Sequence, residues 1–423
     1  MALISNTPFQ ARLAFAPDQT APRGDVLVVI FLRGAADALN MIVPHGDERY
    51  YALRPTLNIP RPDDRRFDLA QRAQDLDGFF GLHPAMQALL PAWQAGHLAI
   101  VHACGAPDES RSHFQAMALM ERGVDDERGP ATGWIGRHLA TFNNGNTSPM
   151  RAIAMGDMAP LSLSGSVPAT AIRSITDFHL SGAGRDGNEA LIQAANQLQQ
   201  ALATMYAPTQ SQPLAEAGAK SLDVMRLLAQ LNPARPRDNV ALPYPSTDFG
   251  ESLRQVAMLI RANVGLEVAA LDLGGWDTHF AQGSTTGWMA QLLQELADSL
   301  AAFHADVIGN ASAGGQSISI VVMSEFGRRA YENGSLGTDH GHAGAMLLLG
   351  QQVQGCKVHG TWPGLQHEQL IGPGDLVVTT DYRDVLAELC LKRLNNAHWA
   401  EVFPGYSAAF RGVFEPVDLG RRA

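Results

Sequence analysis

Three nearly continuous apolar runs, Val26 to Leu32, Leu266 to Leu273 and Ile318 to Met323, each give way to polar sequence that carries Asp, His or both, within a few residues for the first two and after a longer polar turn for the third. Val/Ile/Leu runs of this length predict strands buried on both faces, as in a parallel sheet covered by helices. The turns then lie at the C-terminal ends of the strands, the edge where open α/β sheets hold ligands. The first run leads to Asp37, and the second to Gly274-Gly275-Trp276-Asp277-Thr278-His279. The third leads through Ser324-Glu325-Phe326-Gly327-Arg328 to Thr338-Asp339-His340-Gly341-His342.

The intervening sequence supports this frame. Pro84 to Gln94, Ser110 to Arg122, Phe249 to Asn263, Trp288 to Ala305 and Arg383 to Arg393 have helical spacing. Leu98 to Ala103, Ala152 to Met155, Met346 to Leu349 and Val377 to Thr379 read as further strands. The expectation is one α/β domain over 25–423 with a mostly parallel sheet flanked by helices. An Ala/Gln/Leu-rich stretch at about 188–231, broken by Pro208 and Pro213, reads as a helical insertion that could cap a site. Residues 1–24 lack periodicity and read as a disordered tail or, from Ala14-Phe15-Ala16, as the remnant of an export signal.

Several function classes are disfavoured by composition. A net charge of −11 with no basic run gives a nucleic-acid backbone nothing to bind. Cys104, Cys356 and Cys390 are far apart and without CxxC spacing, so neither a thiolate zinc site nor a disulfide framework is expected. No window has the apolar length of a transmembrane helix. No Gly-x-Gly-x-x-Gly turn follows a strand, which counts against a dinucleotide-dependent oxidoreductase.

Asp and His at strand ends point to a metal-dependent site. Asp277 and His279 lie two apart, so an extended segment turns both to one side, where they can share a cation. His340 and His342 have the same spacing, and Asp339 adds a carboxylate. Asp37 is a weaker candidate that could equally cap a helix. Glu325 could be a ligand or a salt-bridge partner of Arg328 or Arg329. Ser110, Arg111 and Ser112 open the helix after the second strand. A hydroxyl there, near a divalent cation, is readily activated as a nucleophile, and Arg111 could clamp an oxyanion. The plainer alternative is a serine N-cap beside a solvated arginine.

The strings Leu32-Arg33-Gly34 through Asp37-Ala38-Leu39-Asn40 to Pro44, Tyr51-Ala52-Leu53-Arg54-Pro55, Arg111-Ser112-His113-Phe114, Gly274 to His279, Ser324 to Arg328 and Gly337 to His342 resemble bacterial domain-of-unknown-function family 1501, grouped with the alkaline phosphatase and sulfatase superfamily. The resemblance runs from about Asp25 to about Phe414. It implies an alkaline-phosphatase-like three-layer sandwich and two divalent ions, from zinc, manganese, magnesium or calcium. Asp37, Asp277, His279, Glu325, Asp339, His340 and His342 would be the ligands, and Ser112 or Ser110 the nucleophile. No His follows Glu325, and the sulfatase signature is not reproduced around Pro107 to Arg111. Relatives often carry a twin-arginine signal, which implies the periplasm. No Arg-Arg pair precedes the first strand here, which leaves the cytoplasm as the alternative. The resulting expectation is hydrolysis of a small-molecule or polymeric phosphate or sulfate ester. The alternative is a metal-stabilised envelope or polymer-binding protein of the same fold without turnover.

Overall fold

A computed structural model describes residues 24–175, 224, 242–308 and 317–416. Nearly all of the expected tail at 1–24, and all but residue 224 of the insertion expected at about 188–231, lie outside the described residues. The strands in chain order are β1 (Val26–Leu32), β2 (Ile42–Val43), β3 (Gln74–Asp75), β4 (Gly81–Leu82), β5 (Leu98–Gly105), β6 (Ala152–Met155), β7 (Thr170–Ile172), β8 (Val268–Leu273), β9 (Ile318–Ser324), β10 (Gly344–Leu349), β11 (Lys357–His359) and β12 (Thr380–Asp381). The longer helices are α1 (His113–Arg122), α2 (Trp134–Thr141), α3 (Asp248–Arg261), α4 (Trp288–Phe303) and α5 (Tyr382–Lys392). Among the described residues, eight strands form one sheet in the order β11-β5-β10-β9-β1-β8-β6-β7, with β12 joining beside β5 as the ninth. All pairs are parallel except those of β10, which runs against both β5 and β9. Strands β2, β3 and β4 form a small antiparallel sheet.

Side-chain alternation explains the covering of both faces. Val26, Val28, Ile30 and Leu32 enter one core, and Leu27, Val29 and Phe31 the other. Helices α3 and α4 cover the first face through Leu253, Val256, Leu293 and Leu296. Helices α1, α2 and α5 supply Met120, Ile135, Val385 and Leu389 to the second. This is the expected mostly parallel sheet flanked by helices.

Two local expectations change. Pro84 to Gln94 is not one α-helix but a 3-10 segment, Pro84–Leu89, followed by a short α-helical stretch, Leu90–Gln94. Pro91 has no N–H with which to continue an α-helical ladder from the preceding turn. Val377 to Thr379 is not a strand, and the ladder with β5 starts at Thr380 opposite Cys104. In register, Leu32 of β1 faces both Leu273 of β8 and Ser324 of β9, so these three central strands end level. The loops that follow them therefore emerge side by side.

Candidate metal centre

One arginine ties the three loops together. The fully buried Arg328 side chain donates from Nε to the Ala35 carbonyl at 2.8 Å and from Nη1 to Thr338 at 2.8 Å. Its Nη2 donates to the carbonyls of Gly34 at 2.7 Å and Trp276 at 3.1 Å, and to Asp277 Oδ1 at 2.6 Å. A planar guanidinium supplies five donors in fixed directions, so it can join the chain after β1, after β8 and after β9 at once. Gly34 allows the close approach: its φ is +117°, and a Cβ there would stand 2.6 Å from the Asp277 backbone nitrogen.

Above this staple, His113, Asp277 and His340 each offer one ligand atom, all within 4.8 Å of one another. His340 Nε2 lies 2.9 Å from His113 Nε2, 2.8 Å from His279 Nε2 and 3.2 Å from Asp277 Oδ1. Asp277 Oδ1 is also 3.1 Å from His279 Nε2 and 3.4 Å from His113 Nε2. Ligand atoms bound tetrahedrally to a zinc-sized ion sit about 3.4 Å apart, given metal–nitrogen bonds of about 2.1 Å.

The other ring nitrogens fix the tautomers. His113 Nδ1 faces Glu325 Oε1 at 2.7 Å, His279 Nδ1 faces Asp339 Oδ1 at 3.2 Å, and His340 Nδ1 faces the Arg111 carbonyl at 2.9 Å. Carbonyl and carboxylate oxygens accept, so each Nδ1 carries the hydrogen and donates it. In the neutral form of each ring, the three Nε2 atoms meet as lone pairs beside a carboxylate oxygen. Such an arrangement repels itself unless a cation lies among the four atoms, and carboxylate- or carbonyl-oriented imidazoles are the usual surroundings of a bound metal.

The electrostatics are consistent with this. Partial burial opposes the charge on Asp277, but the hydrogen bond and the charge of Arg328 hold its carboxyl down at about 2. Burial lowers the basicity of His340, against the opposing effect of the Arg111 carbonyl and Asp277. Asp339 is held below the usual carboxylate range by the Asn333 amide above all. Near neutral pH Asp277 and Asp339 therefore stay charged and the His340 imidazole neutral, which is the ligand form.

Of the sequence candidates, Asp277, His279 and His340 point into the cluster, and Glu325 and Asp339 orient its rings from behind. Asp37 does not take part. Its fully buried carboxylate receives Arg54 Nη1 at 2.5 Å and Nη2 at 2.9 Å, and Gln282 Nε2 at 2.7 Å. It occupies the N-cap position of the Ala38–Met41 turn but makes no side-chain cap bond. His342 is buried with Nε2 on the Ala106 carbonyl at 2.9 Å and Nδ1 unpartnered, away from the cluster. Ser110 Oγ bonds Gln115 Oε1 at 3.0 Å, whereas Ser112, the exposed N-cap of α1, makes no side-chain cap bond. The Arg111 guanidinium pairs with the buried Asp375. Sequence reasoning missed His113 as a member of the cluster and Arg328 as the staple. The Arg-Ser-His-Phe string at the start of α1 was the available signal for the first.

Residues 25–389 match the model of a family described as a protein of unknown function, DUF1501. No protein with a curated description matches. The family match takes in most of the chain, and the protein belongs to that family.

Proposed function

We propose that the protein is a metal-dependent hydrolase of phosphate or sulfate esters, built on an alkaline-phosphatase-like version of this sheet. The observation that supports the reading is the meeting of three imidazole Nε2 atoms with Asp277 Oδ1 at the C-terminal strand edge. One divalent ion is proposed, held by His113, Asp277, His279 and His340, because Asp37 and His342 are engaged elsewhere. An imidazole-rich set suits zinc or manganese better than magnesium or calcium, which prefer oxygen ligands. A divalent ion bound there would supply Lewis-acid charge to the ester group.

Ser112 adjoins His113 and is the proposed nucleophile. Its hydroxyl forms a bond to phosphorus or sulfur as the ester bond breaks, and the leaving oxygen takes the bonding pair and the proton that the hydroxyl gives up. Water then cleaves the serine ester and restores the hydroxyl. The free N–H groups of the first turn of α1 favour an anion beside Ser112. Arg111 and Arg329, which share the buried Asp375, place positive charge near it.

A metal-stabilised binding protein without turnover is the second reading. It is favoured by Asp37, the carboxylate that follows β1, being committed to Arg54 and Gln282. The test is elemental analysis of untagged protein, followed by assays on aryl phosphate and aryl sulfate with zinc, manganese, magnesium and calcium. The hydrolase reading expects Ser112→Ala to keep the metal and lose turnover. Turnover that survives chelation or His340→Ala rejects it.

A further inference from the structure

Nine large hydrophobic residues are exposed among the described residues, and four of them lie on chain segments that carry or adjoin the cluster: Phe114 at 85%, Phe280 at 77%, Leu336 at 56% and Trp288 at 54%. Single exposed apolar side chains are ordinary, whereas a group gathered at a polar site points to a ligand. Phe114 follows His113 and Phe280 follows His279, so their Cα atoms lie about 3.8 Å from those of ligand residues. Backbone bonds place Leu336 on the same rim. Ala281 donates to Ser335 at 3.0 Å, Gln282 to Leu336 at 2.9 Å, and Thr338 to Thr278 at 3.1 Å. The Trp288 indole lies on the turn before Asp277: its Nε1 donates to the Gly275 carbonyl at 2.8 Å, and its Cζ2 would be 3.4 Å from a Cβ at Gly275.

These segments also carry backbone strain. Leu336 has φ +57° and Ala281 φ +45°, in the left-handed region that residues with a Cβ rarely occupy. Strain that presents an apolar chain to water, instead of burying it, is of the kind found where a site is shaped for a ligand.

From these observations we infer that Phe114, Phe280, Trp288 and Leu336 form an apolar collar that receives the organic part of the substrate, which is an ester with an aromatic or similarly bulky apolar leaving group. The inference rests on the hydrolase reading for the position of the anionic head. The collar sets preference among esters by covering apolar surface that a small or polar alcohol lacks.

Calorimetric binding of naphthyl phosphonate and methyl phosphonate to the intact, metal-loaded protein tests the collar without requiring turnover. The expected result is that the naphthyl ligand binds about a hundredfold more tightly. Phe280→Ala and Trp288→Ala are each expected to weaken it about tenfold while leaving the methyl ligand unchanged. Equal affinity for the two ligands, binding of neither, or equal weakening of both in the variants overturns the inference. Self-association that Phe280→Asp abolishes would assign the rim to a second copy and also overturn it. Hydrolysis of naphthyl phosphate is assayed separately. Preserved binding preference without turnover leaves the collar standing and rejects the hydrolase.

Discussion

Replacing Arg328 by Met keeps most of the side-chain volume and removes all five donors. The buried carbonyls of Ala35, Thr338 and Trp276 lose their Arg328 donors, and Gly34 O and Asp277 Oδ1 lose theirs nearer the surface. A buried acceptor left without a donor costs about 1–3 kcal/mol. Three of them, with some recovery as Met packs, give a loss of about 4 kcal/mol, a large share of a typical domain's stability. Arg328→Lys keeps the charge but offers three donors from a single point, so it recovers only part of the loss. Urea unfolding followed by tryptophan fluorescence gives both values. Elemental analysis gives a second readout, because loops that are no longer joined should hold the metal poorly. An Arg328→Met protein within about 1 kcal/mol of the parent, with unchanged metal content, would refute the view that this side chain holds the centre together.

Other expectations separate the residues of the centre from those behind it. Asp37→Ala leaves Arg54 as a buried charge without its partner and costs about 3–5 kcal/mol, with metal stoichiometry unchanged in whatever protein remains folded; reduced stoichiometry would return Asp37 to the ligand set. His113→Ala should lower metal occupancy with a smaller effect on unfolding of the metal-free protein, as read by competition with a chromogenic chelator. Asp339→Ala removes the acceptor of His279 Nδ1 and is expected to weaken metal binding about 10- to 100-fold, measured the same way. His102 and His138 supply a pH signature: burial, slightly offset at His102 by its bond to the Ile42 carbonyl and reinforced at His138 by Arg151, holds them down at about 4 and about 3. The unfolded chain takes up protons that these rings refuse, so their stabilisation is complete above about pH 6.5 and is lost as pH falls through the acid range, about 3 kcal/mol of it from His102 by pH 4. Denaturation from pH 7 to 4.5 should show this slope, shallower in His102→Phe, and an unchanged slope in that variant would remove the assignment.

The sheet was legible because β1, β8 and β9 are predominantly apolar runs too short for helices, and because Asp/His-bearing turns follow them. The reversed direction of β10 was not legible, since Met346 to Leu349 is apolar whichever way the chain runs. At the centre, spacing located Asp277 and His279, which lie in the turn directly after β8, and His340, which lies in the longer connection between β9 and β10. It could not separate them from Asp37, which also follows a strand. The difference is made by Arg54, seventeen residues later, and a side chain that turns inward leaves no periodic trace. His342 resembles His340 in sequence, yet its ring reaches the Ala106 carbonyl. His113 was obscured because an imidazole in the first turn of an amphipathic helix looks like any solvated residue until Glu325, at the end of β9 and more than two hundred residues later, takes its Nδ1 hydrogen.

Strand β1 lies at the middle of the large sheet, yet both of its partners are encoded more than half the chain later, at Val268–Leu273 and Ile318–Ser324. At ribosomal rates of roughly 10 residues per second, on the order of half a minute separates its emergence from that of its second neighbour. Throughout that interval a seven-residue apolar strand has two open edges and is a template for pairing with another nascent chain. Production of this protein is therefore expected to respond more to chaperone supply and growth temperature than to the stability of the finished fold.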